Sequence, residues 1–193
     1  MQEKIDVLDH GFVRLVDSMG GDISVVRAAR VSYDAAWRAG KDKGSDERLI
    51  HYLWQHHHTT PFEAVTFTFE IKAPIFVFRQ WHRHRTWSYN ELSARYRELP
   101  EEYYLPSPYV IGAQAANNKQ GRVLSTPAHT EMEKLNHEVD CLKETIEKCF
   151  ERYRELLASG WPRELARSVL PVATYSHMSV SYTHLTLPTT PYV

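Results

Sequence analysis

Between Arg79 and Tyr96 the chain reads RQWHRHRTWSYNELSARY. Arg79, Arg83, Arg85 and Arg95 are permanent cations with planar, forked donors that suit phosphate or carboxylate. His82 and His84 add imidazoles that donate, accept or stack. Gln80, Ser88, Asn90, Glu91 and Ser93 add further hydrogen-bonding groups. Trp81, Trp87, Tyr89 and Tyr96 interleave aromatic surface with this charge. For any single arginine a solvated face or a structural ion pair is the simpler account. A solvated face rarely carries so many rings, however, and a core segment does not carry four arginines unless they are paired. The stretch as a whole suits a phosphorylated, planar ligand.

The elements that must position these residues can be read around them. Pro74 suits the first turn of a helix, because its missing N–H is not needed there. A helix from Ile75 to about Arg83 sets Arg79 and Arg83, and Gln80 and Arg83, on one face. Ser88-x-x-Glu91 has the form of a capping box and predicts a short helix from Tyr89, with Glu91 and Arg95 on one face. Upstream, Ile5–Leu8 and Phe12–Val16 read as strands, and Gly20-Gly21 as a turn. Asp22 is placed to cap a helix through about Val31, and residues 34–44 look like a variable loop. Ser45 is placed to cap the next helix, whose buried stripe would be Leu49, Ile50, Leu53 and Trp54. It runs out at His56-His57-His58, before Thr60-Pro61. From Val65 to Lys72 apolar and polar residues alternate, so a strand buries one face.

Residues 100–128, rich in Pro, Gly, Asn and Ser, read as a long loop. Thr130-x-x-Glu133 opens the longest helix, to about Ala158. Its seam of Met132, Leu135, Val139, Leu142, Ile146, Cys149, Tyr153 and Leu156 should pack on another helix, of this chain or of another subunit. Gly160 closes it, and Pro162 begins a shorter helix through Val169 that carries Arg163 and Arg167.

The chain has 193 residues, enough for one domain, and a net charge of −1, which offers no global electrostatic case for nucleic acid. Its two cysteines, Cys141 and Cys149, form no C-x-x-C, which argues against a disulfide framework or a zinc site and fits a reducing cytoplasm. No apolar run is long enough to span a membrane, and no leader is evident. His56-His57-His58 invites a metal, but a dedicated site needs converging ligands, so none is expected.

RHRTWSYNELSARY matches, without a gap, the signature R-H-R-x-x-S-x-N-E-x-S-x-R of the flavin-dependent thymidylate synthases, and the resemblance runs from about Ile5 to Tyr175. It implies an α+β fold, the thymidylate synthase-complementing fold, with a twisted, largely antiparallel sheet and packed helices. It implies methylation of dUMP to dTMP, with methylenetetrahydrofolate giving the carbon and FAD, reduced by NADPH, giving the hydride. By the same resemblance Thr60, Arg83, His84, Arg85 and Glu91 would contact FAD. Gln80, Trp81, His82, Arg83, Glu91, Leu92, Ser93, Ala94, Arg95 and Arg167 would hold the nucleotide. His58, at a folate or flavin edge, and Glu91 are the candidates closest to the chemistry. No enzyme nucleophile is implied. Accordingly no cysteine lies near the motif, and Ser93 lacks an evident base and orienter. The family is homotetrameric with shared sites, so Arg83 and Arg95 of one chain would serve different copies of the site.

Family character is expected to fade from about Met178. SVSYTHLTLPTTPYV is rich in Ser, Thr and Pro and unlike the family. Residues 1–178 are therefore expected to form one domain lacking its C-terminal segment, and 179–193 a non-family, artefactual tail. The lost positions would include asparagines that hold flavin and an arginine that polarises uracil. Two alternatives follow: a non-catalytic nucleotide- or single-stranded-RNA-binding module, marked by steep salt dependence, or an inactive fragment of the synthase.

Overall fold

The computed structural model describes residues 4–124 and 127–183. Its frame is a five-stranded sheet in the order β1-β2-β3-β7-β4, every neighbouring pair antiparallel. The strands are β1 (Lys4–Val7), β2 (Gly11–Met19), β3 (Thr66–Pro74), β4 (Trp87–Glu91) and β7 (Tyr175–Thr183). With the helices described below this is the expected α+β architecture.

The alternation along β3 sets the sheet's two faces. Phe69 pairs with Val180 and Ile71 with Met178, and these side chains meet Phe78 of α3 (Ile75–Trp81) in a buried cluster with Tyr182. The residues between them face the other way and are polar. There Glu70 binds Arg14 and lies 2.8 Å from His177 Nε2, and Lys72 reaches Glu102 at 2.6 Å. Gly11 is needed where β2 crosses close, since a Cβ there would lie 2.5 Å from the Val7 carbonyl oxygen.

A second cluster joins α1 (Asp22–Arg30) and α2 (Lys43–Gln55) to the start of β3 through Val25, Leu53, Phe62 and Val65. The caps differ from the sequence expectation. Gly21 is the N-cap of α1, and Asp22 is its first helical residue, where a carboxylate still favours the dipole. Asp42, not Ser45, caps α2: it is extended (φ −138°) and accepts the Ser45 N–H at 3.0 Å. Trp54 turns outward, 59% exposed, because Leu53 takes the core position. Asp46 is buried between the helices. It pairs with Arg30 at 2.7 Å and accepts the Gly40 N–H at 2.7 Å, which pins the connecting segment.

The capping box at Ser88 forms no helix. Trp87 and Tyr89 are good strand residues, and β4 finds a ladder on β7, so tertiary pairing overrides the local signal. The helix before it ends at Trp81, short of Arg83. The 100–128 segment is more ordered than a loop. It holds α4 (Pro108–Ile111) and a small hairpin of β5 (Ala113–Gln114) and β6 (Arg122–Val123), and Tyr103 bridges to Thr174.

Helix α5 (His129–Ala158) has Ala128 at its N-cap, so Thr130 lies inside the helix. Its second half packs Ile146, Phe150 and Tyr153 on Ala166 of α6 (Arg163–Ala166), which a 3₁₀ turn continues to Val169. In its first half Met132, Leu135 and Val139 are only half-buried and Leu142 is exposed. Gly160 (φ 83°) closes the helix as expected.

Strand β7 runs through Thr183, and Val180 and Tyr182 are 1% and 6% exposed, so the domain boundary expected after Met178 falls inside a core strand. Residues 184–193 of the expected tail lie outside the described residues.

Asp46→Ala strips Arg30 of its buried partner and should cost about 3 kcal/mol in urea unfolding. Burial pushes the Tyr182 hydroxyl up to about 12 from its ordinary value of 10.0. Because the folded value is raised, that group's stabilisation is complete below about pH 10 and is lost as pH climbs toward about 12. Between roughly pH 9 and 11 the urea midpoint of the natural protein should therefore fall further than that of Tyr182→Phe.

Candidate active site

The motif residues are carried by α3, the turn after it, and β4. His82 caps α3, and the turn is closed by Arg83 N–H donating to the Gln80 carbonyl at 3.1 Å and His84 N–H to that of Trp81 at 3.0 Å. The chain then doubles back into β4, and the aromatic residues pair across the reversal. Trp81 stacks on Trp87 with centroids 5.2 Å apart, and His82 on Tyr89 at 4.3 Å. The rings of Trp81 and His82, both expected as nucleotide contacts, thus also hold α3 against β4. Trp81 Nε1 and His82 Nε2 are buried without a hydrogen-bond partner among the described residues. A base-stacking platform would need these rings free.

The cations fall into two sets. Arg79, Gln80, Arg83, His84 and Arg85 are exposed at the Trp87 end of β4, and no acid pairs with Arg79, Arg83 or Arg85 among the described residues. At the other end Arg95 Nε lies 3.6 Å from Glu164 Oε2, Arg167 Nε donates to the Glu164 carbonyl at 3.3 Å, and Arg163 lies 3.8 Å from Glu98. Trp87 pairs with Tyr182 and Glu91 with Met178, so the sets are separated by the length of β4, about 13 Å at the rise of an extended strand. One chain therefore groups Arg83, His84 and Arg85 with Gln80, and Arg95 with Arg167. It does not bring the two groups together.

The Glu91–Arg95 segment is tied down on both sides. Glu91 is half-buried, and its Oε1 accepts from the Ser176 hydroxyl at 2.8 Å. Leu92 N–H donates to the His177 carbonyl at 2.7 Å, Ala94 is buried, and the Ser93 hydroxyl accepts the Arg95 N–H at 3.3 Å. Glu164 and Ser176 were not singled out from sequence. Glu164 stands three residues before Arg167 and was open to a helix-spacing argument. Ser176 lies 85 residues from Glu91, and no local signal joins them.

His58 and Thr60 are exposed in the turn before β3. That turn reaches the sheet where Thr66 pairs with Thr183, one register step from the pair of Trp87 and Tyr182. Both residues thus stand toward the Arg83–Arg85 end, two strand positions across. Tyr52 organises the histidines: His56 stacks on it at 4.1 Å, and His58 meets its edge at 5.9 Å. No group of three metal-ligating side chains occurs among the described residues. A cavity of about 490 Å3 lies between α1, α2 and the start of β3, and one of about 360 Å3 between α1, α2 and Gly40; neither includes a residue of Arg79–Tyr96.

The family model described as thymidylate synthase complementing protein matches residues 14–188. A flavin-dependent thymidylate synthase of Thermotoga neapolitana is 47% identical over 173 residues, covering 90% of this chain and 71% of the relative. One from Rickettsia prowazekii is 44% identical over 188 residues, and there this chain spans 62% of the relative's length. Among solved structures, the UMP/dUMP methylase PolB of Streptomyces cacaoi bound with 5-Br dUMP has a TM-score of 0.78 and 39% identity, covering 93% of this chain and 76% of that one.

Packing and ligand roles separate by stability. Trp81→Ala should lower the unfolding free energy by about 3 kcal/mol, as for a large ring removed from a packed stack. Arg83→Ala, exposed and unpaired, should stay within about 0.5 kcal/mol of the natural protein. Urea titration checks both.

Proposed function

The chain belongs to the thymidylate synthase complementing protein family, and on that footing we propose that it methylates dUMP to dTMP with a reduced flavin as hydride donor. One observation carries the reading: Arg83 and Arg85 of the family's signature, with Arg79 four residues before it, stand exposed with no acid to neutralise them among the described residues. Uncompensated guanidinium groups clustered within one turn of chain form a receptor for anions.

The donor set fits FAD. Arg83 and Arg85 supply forked donors suited to a pyrophosphate, and His84, with Thr60 nearby along the sheet end, adds hydrogen-bonding groups. When bound, the reduced flavin supplies the hydride, NADPH renews it, and methylenetetrahydrofolate supplies the carbon. The chain's own residues bind and orient. Gln80 and Arg83 would hold one side of the nucleotide. Arg95, Ser93 and Arg167 would receive its phosphate, displacing Glu164, whose exposed pairing with Arg95 is worth at most about 1 kcal/mol. His58 would stand at the folate edge.

The separation of the two cationic sets by the length of β4 supports a site shared between subunits, as in a homotetramer. The unfilled first half of the α5 seam is a surface for such contacts. No helix among the described residues is long and apolar enough to cross a membrane, and the reading places the activity in the cytoplasm.

The test is the visible spectrum of the purified chain after addition of FAD and desalting, with circular dichroism as the check on folding. A retained flavin band that shifts on adding dUMP, and much less with inorganic phosphate, is the expected result. Arg83→Ala should lose the band, and Arg95→Ala should keep the band but not the shift. A folded protein that retains no flavin would overturn the reading.

A further inference from the structure

Glu91 is the one acid of the Arg79–Tyr96 stretch. It pairs in register with Met178, so its side chain lies on the face of β4 that looks toward α3. There the carboxylate is half-buried, and among the described residues no cation pairs with it. A carboxylate withdrawn from water without a counter-ion is costly unless its lone pairs are used. One bond uses them: the Ser176 hydroxyl donates to Oε1 at 2.8 Å. Ser176 is itself only 3% exposed, so this hydroxyl would be the costly group were the carboxylate absent. The two thus satisfy each other, in a bond strengthened by charge. The backbone is held as well, since the next N–H, of Leu92, donates to the carbonyl of the residue after Ser176 at 2.7 Å. Glu91 Oε2 has no partner among the described residues.

We propose that Ser176 is the positioning residue for Glu91. It locks one carboxylate oxygen so that the other is presented to hydrogen-bond donors of the bound nucleotide, a ring N–H or a sugar hydroxyl. This rests on the nucleotide-site reading above. Ser176 touches no ligand itself. It acts by removing the rotamers Glu91 would otherwise populate, a freedom that binding would have to freeze.

The test is calorimetric titration of the FAD-loaded chain with dUMP, for the natural protein, Ser176→Ala, Ser176→Thr, Glu91→Gln and the double variant Ser176→Ala with Glu91→Gln. Circular dichroism checks that each folds. Ser176→Ala should weaken dUMP binding to the FAD-loaded chain roughly tenfold, as expected for losing one charge-assisted bond. Ser176→Thr, which keeps the hydroxyl, should stay within about twofold. In the Glu91→Gln background, removing the hydroxyl should add less than about twofold, because the two residues act as one unit. Ser176→Cys, close to serine in volume and a weaker donor, should fall between alanine and serine, and it supplies the comparison if the alanine variant does not fold. Unchanged binding in Ser176→Ala, or losses that simply add in the double variant, would overturn the inference and leave the nucleotide reading standing. A folded, flavin-loaded natural chain with no affinity for dUMP would overturn both.

Discussion

Strand β7 has a hydrogen-bonded neighbour on each side, β3 along its whole length and β4 from Tyr182 back to Met178. Among the described residues no other strand lies between these two in the sheet. Its alternation also builds the core: Met178, Val180 and Tyr182 turn toward Phe78, and burying each contributes on the order of 2 kcal/mol. If this ladder were lost, β4 would become a single strand with only ring stacking to hold it on α3, and Glu91 would lose both its backbone and its side-chain anchors. The cationic turn before β4 would then have no fixed direction. The geometry of the motif is thus set by a strand that begins some 80 residues after the motif ends, roughly the distance from Tyr96 to Tyr175.

Charge is handled in two opposite ways. Asp46 is buried and Arg30 largely so, and they are matched at 2.7 Å, with a backbone N–H on the remaining carboxylate oxygen. That pair fixes geometry, because separating it leaves a buried charge alone. Glu70 is shared between Arg14 and His177 on the polar face of the sheet, where all three side chains keep part of their contact with water. The turn at Arg83–Arg85 is the reverse: cations side by side, exposed, with no matching acid among the described residues. Like charges so placed repel each other, and the arrangement is relieved only when an anion arrives. With a net charge of −1 for the chain, this local excess is a property of placement, not of composition.

Much of the frame was legible from sequence. The alternation from Val65 to Lys72 gave β3 and its buried face, and Gly160 marked the end of α5. The motif was legible too, since its residue types are rare together. What failed was local capping logic. Ser88 and Glu91 had the spacing of a helix start, but the ladder offered by β7 outweighed one capped turn. Asp42, Gly21 and Ala128 displaced Ser45, Asp22 and Thr130 for a simpler reason: the residue that leaves extended geometry last becomes the cap, and sequence fixes that only to within a few positions. The rings of Trp81 and His82 stack on Trp87 and Tyr89, a pairing visible only once the chain is known to reverse between them. Ser176 could not be found at all, because a bond spanning 85 residues leaves no trace in either neighbourhood.

Because β4 is a strand, it works as a ruler with only even divisions. Consecutive side chains alternate faces, so one residue inserted between Arg85 and Glu91 would carry the glutamate to the open polar face, away from Ser176. Two inserted residues would restore the face but slide the carboxylate by about 7 Å. Substitutions within the interval can be absorbed by neighbouring side chains, whereas a change in its length cannot. The count of residues between the RHR turn and the acid is therefore under a stricter constraint than most of the letters that fill it.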